Sequence, residues 1–121
     1  MGNAPILIIE DDLEQLTTLA SMLDNVNCPV ETALNGNRAL EILREQVPAL
    51  VITDMVMPDI SGSLIVHFIR GEDRLRTTKI IVVTAFLRYV SADDQALSDR
   101  VLVKPIKEDE LRRAVKELLG M

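Results

Sequence analysis

Apolar residues in this chain fall into two alternating kinds of segment. Short continuous runs are followed by longer stretches in which apolar positions recur every three or four residues. Ile6-Leu7-Ile8-Ile9, after Pro5, is the first run, and Leu13, Leu16, Ala20 and Leu23 follow at helical spacing. Asn27-Cys28-Pro29 interrupts the chain before a second run, Val30 to Ala33. The Asn35-Gly36 turn signal then leads into a helix face of Ala39, Leu40, Leu43 and Val47, stopped by Pro48. Ala49 to Thr53 is a third run, ending at Asp54. A long turn, Met57-Pro58-Asp59 and Ser61-Gly62, precedes the face formed by Ile65, Phe68 and Ile69, with Gly71 where that helix should stop. Lys79 to Thr84 is strongly apolar, and Val101-Leu102-Val103 is the last run, closed by Lys104-Pro105. Leu111, Ala114, Val115 and Leu118 mark a final helix, with Glu108, Asp109 and Glu110 in its first turn and Gly120 beyond it, as the helix dipole and capping rules favour. Only Ala85 to Arg100 lacks a clear period, and one short helix is expected there.

Continuous apolar runs of this length suit strands buried on both faces. Five of them alternating with helices predict an α/β protein: a flavodoxin-like, doubly wound, five-stranded parallel sheet with helices on both faces. Its expected strand order is 2-1-3-4-5, with ligands beyond the carboxyl ends of strands 1 and 3. No linker or repeat divides the chain, so residues 1–121 are expected to form one domain.

Composition narrows the picture further. Tryptophan is absent and Phe68, Phe86 and Tyr89 are the only aromatics, so the core must be aliphatic. A net charge of −6 argues against direct binding of nucleic acid or anionic membrane. Cys28 is the single cysteine, which leaves no internal disulfide or thiolate cage and reads as a buried or half-buried free thiol. No apolar run reaches membrane-spanning length, and Met1 to Pro5 lack an export signal, so a reducing cytoplasm is the expected location.

The polar residues at the strand ends carry the chemistry. Strand 1 runs into Glu10-Asp11-Asp12 and strand 3 into Asp54. On neighbouring strands these carboxylates would crowd one cleft and repel one another unless a cation intervenes. An all-oxygen site suits Mg²⁺ or another hard divalent cation. Thr84 at the end of strand 4 and Lys104 at the end of strand 5 add a hydroxyl and an ammonium, completing a site for transferring an anion with Asp54 as nucleophile. Asp12, with Gln15 three residues on, resembles a capping box, and Asp12 is read as a helix N-cap. Taken singly, Thr84 is an ordinary strand residue and Lys104 an ordinary surface one. Their coincidence at strand termini favours the functional reading. The acidic first turn would repel a phosphate in the absence of metal, which counts against a flavin-binding protein of this fold.

These same residues resemble the response regulator receiver family. Ile6 to Asp12 looks like its first strand and acidic pair, Leu50 to Asp59 like its phosphoacceptor strand and loop, Val82 to Ala85 like its threonine segment, and Val103-Lys104-Pro105 like its lysine–proline segment. The resemblance spans the whole chain. It implies that Asp54 is phosphorylated from a histidine kinase or a histidine phosphotransfer protein. It also implies that Asp11 and Asp54 ligate Mg²⁺ directly, with Glu10 acting through water and the backbone carbonyl of Val56 as a further ligand. Thr84 would move toward the phosphoryl group, Lys104 would pair with it, and the Lys104-Pro105 bond would be cis. The helix 4–strand 5–helix 5 face would meet a partner or a second copy. The protein would not be an enzyme beyond its own phosphotransfer and dephosphorylation.

Two departures from the family stand out. Val101 occupies a position that is often aromatic, with Tyr89 as a candidate substitute, although a surface tyrosine is the simpler reading. The residues two after Asp54 and two after Thr84 are the apolar Val56 and Phe86, which predicts slow self-dephosphorylation. His67 reads as a surface or half-buried histidine, Arg70, Arg74 and Arg76 as a solvated cluster, and Met55 and Met57 as residues that line the loop after Asp54 and exclude water. Two alternatives remain beside the switch: an aspartyl-nucleophile phosphatase or phosphotransferase, and an interaction module that keeps the fold without phosphorylation.

Overall fold

The computed structural model describes residues 4–121; Met1 to Asn3, part of the segment read as lacking an export signal, lie outside the described residues. The elements run β1 (Ile6–Ile9), α1 (Leu13–Met22), β2 (Val30–Ala33), α2 (Gly36–Glu45), β3 (Leu50–Asp54), α3 (Gly62–Gly71), β4 (Lys79–Thr84), α4 (Ala92–Leu97), β5 (Arg100–Val103) and α5 (Glu108–Leu119). Short 3₁₀ turns occupy Asp73–Leu75 and Leu87–Tyr89. All strand pairings are parallel and the order is β2-β1-β3-β4-β5, the expected one.

Strand residues alternate between the two faces of the sheet, so each central strand feeds two cores. Leu7, Ile9, Val51, Ile80 and Val82 pack with α2 and α3 on one face. Ile6, Ile8, Leu50, Ile52, Ile81, Val83 and Leu102 pack with α1 and α5 on the other. This double burial is why the sequence shows continuous apolar runs. Met55 and Met57, expected to line the loop after Asp54 and exclude water, are buried in the α2–α3 core. Cys28 is half-buried, and burial pushes its thiol pKa up.

Two helix faces differ from the sequence reading. Leu13 is 64% exposed while Leu19 is buried, because Leu13 is the first residue of α1 and sits at the carboxyl edge of the sheet with no strand beneath it. Val47 lies outside α2, which ends at Glu45. Proline disfavours helical backbone in the residue before it, and here the chain is already extended at Gln46.

Arg70, in the last turn of α3, and Arg74 and Arg76 beyond it are not a solvated cluster. Arg70 donates to the Leu97 carbonyl at 2.9 Å, to the Thr78 carbonyl at 2.8 Å and to Asp99 Oδ2 at 3.0 Å. Arg74 donates to the carbonyls of Leu43 and Gln46, binding the end of α2. Among the side-chain hydrogen bonds of the described residues, only Arg76 of the three bonds solely within its own turn. Asp99 Oδ2 also accepts from the Ile80 N–H, so Arg70 and Asp99 fasten the α4–β5 connection to the start of β4. A second link joins α3 to α4: Ser63 Oγ donates to the buried Asp94 at 2.8 Å, and His67 Nε2 lies 3.2 Å from the same carboxylate oxygen. The one short helix expected between Ala85 and Arg100 is therefore α4, held against α3 by polar side chains. Val101 is partly buried against the α2–α3 core.

Candidate functional site at the carboxyl edge of the sheet

Glu10 directly follows β1 and Asp54 ends β3, and the pairing of Ile9 with Thr53 sets them side by side. Asp11 comes one residue further along the first turn. Carboxylate oxygens of Glu10, Asp11 and Asp54 all lie within 4.8 Å of one another, with Glu10 and Asp54 buried and Asp11 exposed. Such an oxygen set, open to water on one side, fits a hard divalent cation that keeps part of its hydration shell.

Lys104 enters from the end of β5, whose ladder continues through the Lys104 N–H to the Thr84 carbonyl at 2.8 Å. The Lys104-Pro105 bond is cis, as the resemblance implied. Lys104 Nζ donates to Glu10 Oε1 at 3.0 Å, to Asp54 Oδ2 at 3.2 Å and to Gln15 Oε1 at 2.6 Å. The ammonium thus bridges the two buried carboxylates. Burial pulls its pKa down, but the hydrogen bonds to Glu10 and Asp54 and the charges of both carboxylates together outweigh burial and hold it above its ordinary value. Burial raises the Glu10 pKa, against the hydrogen bonds from Lys104 and from the Asp12 N–H.

Thr84 ends β4 beside Asp54, which pairs with Val83. Its hydroxyl does not reach Asp54; it donates to the Phe86 carbonyl at 3.0 Å. Beyond it Phe86 and Tyr89 meet edge to face, 5.4 Å between centroids, with the Arg88 guanidinium over both rings. Phe86, Leu87 and Tyr89 are all largely exposed, so Tyr89 is a surface residue. Val56 is exposed too, and its N–H lies 3.4 Å from Asp54 Oδ1.

A model of the response regulator receiver domain matches residues 6–116. The chain belongs to that family. Among its relatives, the polar-differentiation response regulator DivK of Brucella anthropi is 25% identical over 119 residues, covering 95% of each chain. The sensor histidine kinase TmoS of Ectopseudomonas mendocina is 32% identical across 96% of this chain, which corresponds to 12% of the kinase. Among solved structures, the response regulator TrrA of Thermotoga maritima, crystallised in complex with Mg²⁺-BeF, is 34% identical with a TM-score of 0.86, covering 96% of this chain and 99% of that one. Two-component signalling is the setting these relatives share. Among the described residues, no helix is long and apolar enough to cross a membrane.

In this receiver the site depends on residues that strand patterning did not single out. Gly62 opens α3 directly against β3: a Cβ there would lie 2.1 Å from the Asp54 carbonyl oxygen. Asp59 reaches from the β3–α3 loop to the start of α2, accepting from the N–H groups of Gly36 and Asn37 at 3.1 and 2.9 Å. The Asn37 N–H, foremost, holds the Asp59 carboxyl below its usual pKa. Ser61-Gly62 carried a turn signal in the sequence, but nothing local pointed from Asp59 to α2, 22 and 23 residues away. The spacing of Asp12 and Gln15 predicts a capping box. Asp12 does cap α1, accepting from the Gln15 N–H at 3.0 Å. The reciprocal bond is missing: the Asp12 N–H donates to Glu10 Oε2 at 3.2 Å, which leaves the Gln15 amide to Lys104.

Proposed function

We propose that this receiver is a phosphorylation switch in which Asp54 accepts a phosphoryl group from a phosphohistidine donor, with Mg²⁺ or a similar hard cation bound beside it. The observation that carries this reading is the convergence of Glu10, Asp11 and Asp54 within 4.8 Å, with Lys104 Nζ at 3.2 Å from Asp54. Asp11 and Asp54 would hold the cation directly, Glu10 through water, and the Val56 backbone carbonyl would complete the protein ligands. When bound, the cation supplies charge neutralisation for the phosphoryl oxygens.

The protein's own groups perform the remaining work. An Asp54 carboxylate oxygen attacks phosphorus, forming a P–O bond as the donor's P–N bond breaks, and the electron pair returns to the imidazole. Lys104 already lies against Asp54 and would give a hydrogen bond to the incoming phosphoryl oxygens. Thr84 would exchange the Phe86 carbonyl for a phosphoryl oxygen, which links the chemistry to the exposed loop that follows β4. The α4–β5–α5 face, where Val103 is exposed, would then meet a partner or a second copy. A phosphatase working on small esters would need a second acid after the nucleophile; Val56 supplies none.

The deciding measurement is intact mass after incubation with a small phosphodonor and Mg²⁺. One added phosphoryl group is expected on wild type and none on Asp54→Asn; an unlabelled but folded wild type would overturn the reading and favour a phosphorylation-independent interaction module. Val56 and Phe86 offer no side-chain hydrogen bond to a hydrolytic water. The phosphorylated protein is therefore expected to persist well beyond seconds without a phosphatase, and decay within seconds would refute that part.

A further inference from the structure

The amide of Gln15 has no role in capping α1 and none among the candidate cation ligands, yet it makes the shortest of the three hydrogen bonds to Lys104, 2.6 Å against 3.0 and 3.2 Å. We propose that Gln15 is a positioning residue that holds the Lys104 ammonium over Asp54 when a cation and a phosphoryl group occupy the site. The inference rests on the proposed function above and adds to it a residue outside the four strand ends.

A lysine ammonium has three donors, and here they meet Glu10, Asp54 and Gln15. Two of these acceptors are anions that a divalent cation would also claim. Once it does, their pull on Lys104 weakens and the cation itself repels the ammonium. Gln15 is neutral and is untouched by that competition. Its backbone is fixed in the first turn of α1 by the Asp12 cap, so its side chain starts from a rigid base.

Beside Lys104 lies an open groove of about 430 Å³ lined by Glu14, Thr18, Leu19, Met22, Pro105 and Ile106 along with Gln15 and Lys104 themselves. A lysine stem is flexible. Without the Gln15 amide it has room to swing into that groove, where Glu14 offers a competing carboxylate. With the amide in place, one donor is anchored and the other two stay directed at whatever Asp54 carries.

The test compares wild type, Gln15→Met, Lys104→Met and the double variant, using Mg²⁺ alone and Mg²⁺ with beryllofluoride as probes in titration calorimetry. Gln15→Met keeps the shape of the side chain and removes its acceptor. It is expected to leave affinity for Mg²⁺ alone within about twofold while weakening beryllofluoride binding about fivefold, a hydrogen bond to a charged group trimmed by its exposure to water. Lys104→Met should cost more, and Gln15→Met should add nothing to it. A cation-free readout accompanies this: in chelator, the denaturation midpoints of the four proteins should show the same coupling between positions 15 and 104. Beryllofluoride binding in Gln15→Met equal to wild type, or an equal loss in the Lys104→Met background, would overturn the positioning role while leaving the proposed function standing. Wild type that fails to bind beryllofluoride with Mg²⁺ would overturn both.

Discussion

The carboxyl edge of the sheet and the seam between α3 and α4 are both polar, but they are built to opposite ends. At the sheet edge Lys104 is shared among Glu10, Asp54 and Gln15, two buried carboxylates lie together, and Asp11 faces water. Under the proposed function, Glu10 and Asp54 would exchange those contacts when a cation or phosphoryl group arrives, while Gln15 would keep its hold on Lys104. At the seam, Arg70 places three donors on Leu97, Thr78 and Asp99, while Asp94 is closed in by Ser63 and His67 and by its N–H bond to the Ser91 cap. These bonds join backbone and side chains into a fixed frame. Charges left with interchangeable partners make a site that can respond. Directional bonds to carbonyl groups make a support against which the proposed response would be registered.

The contrast can be broken most severely at Gly62. Gly62→Ala puts a methyl group into the Asp54 carbonyl, and the neighbouring atoms are backbone that cannot yield cheaply. The expected cost is about 3 kcal/mol or more in chemical denaturation, with Mg²⁺ affinity falling as well. Near-normal stability would mean that the responsive edge tolerates backbone movement and is not rigidly seated.

Arg70→Ala tests the seam. Removing three hydrogen bonds and leaving Asp99 without its ion-pair partner is expected to cost about 2 kcal/mol, since the pair is only partly buried. Arg70→Lys should recover less than half, because an ammonium cannot reproduce the planar fork. Mg²⁺ affinity should stay within about twofold of wild type if the two regions are energetically separate. A larger change would show that the seam and the sheet edge are one coupled unit.

The smallest effect belongs to Asp59, a static element within the responsive edge. Its folded pKa lies below the ordinary 3.8 because the Asn37 and Gly36 N–H groups bind the carboxylate. A depressed acid contributes stability that is present above the unfolded pKa and is lost as pH falls through the folded value. Asp59→Asn should therefore melt slightly below wild type at neutral pH, and the gap should close as pH falls below 3.8. A gap that stays constant into acid would assign the effect to packing and not to charge.

Much of this was legible in the chain. The apolar runs placed the strands, the strand ends placed Glu10, Asp11, Asp54, Thr84 and Lys104, and the spacing of Asp12 and Gln15 marked the start of α1. Each of those readings depends on local period and on the rule that ligands gather beyond parallel strand ends. The misreadings have a common origin. Arg70 looked like a solvated charge because its partners are 8 to 29 residues away, on α4, the α4–β5 connection and the turn before β4. Asp94 and Ser63 meet across 31 residues, and Gln15 and Lys104 across 89.

By itself, then, the sequence determined the sheet, its order and the set of groups at its carboxyl edge, because strand period and strand termini are written in neighbouring residues. Only the tertiary structure decided how those groups are shared: that Lys104 rests on Gln15 as well as on two carboxylates, that Thr84 turns to Phe86, and that Gly62 must be bare. Such choices follow from distances between elements brought together by packing, and a helix-borne side chain carries no local mark of the partner that packing will give it.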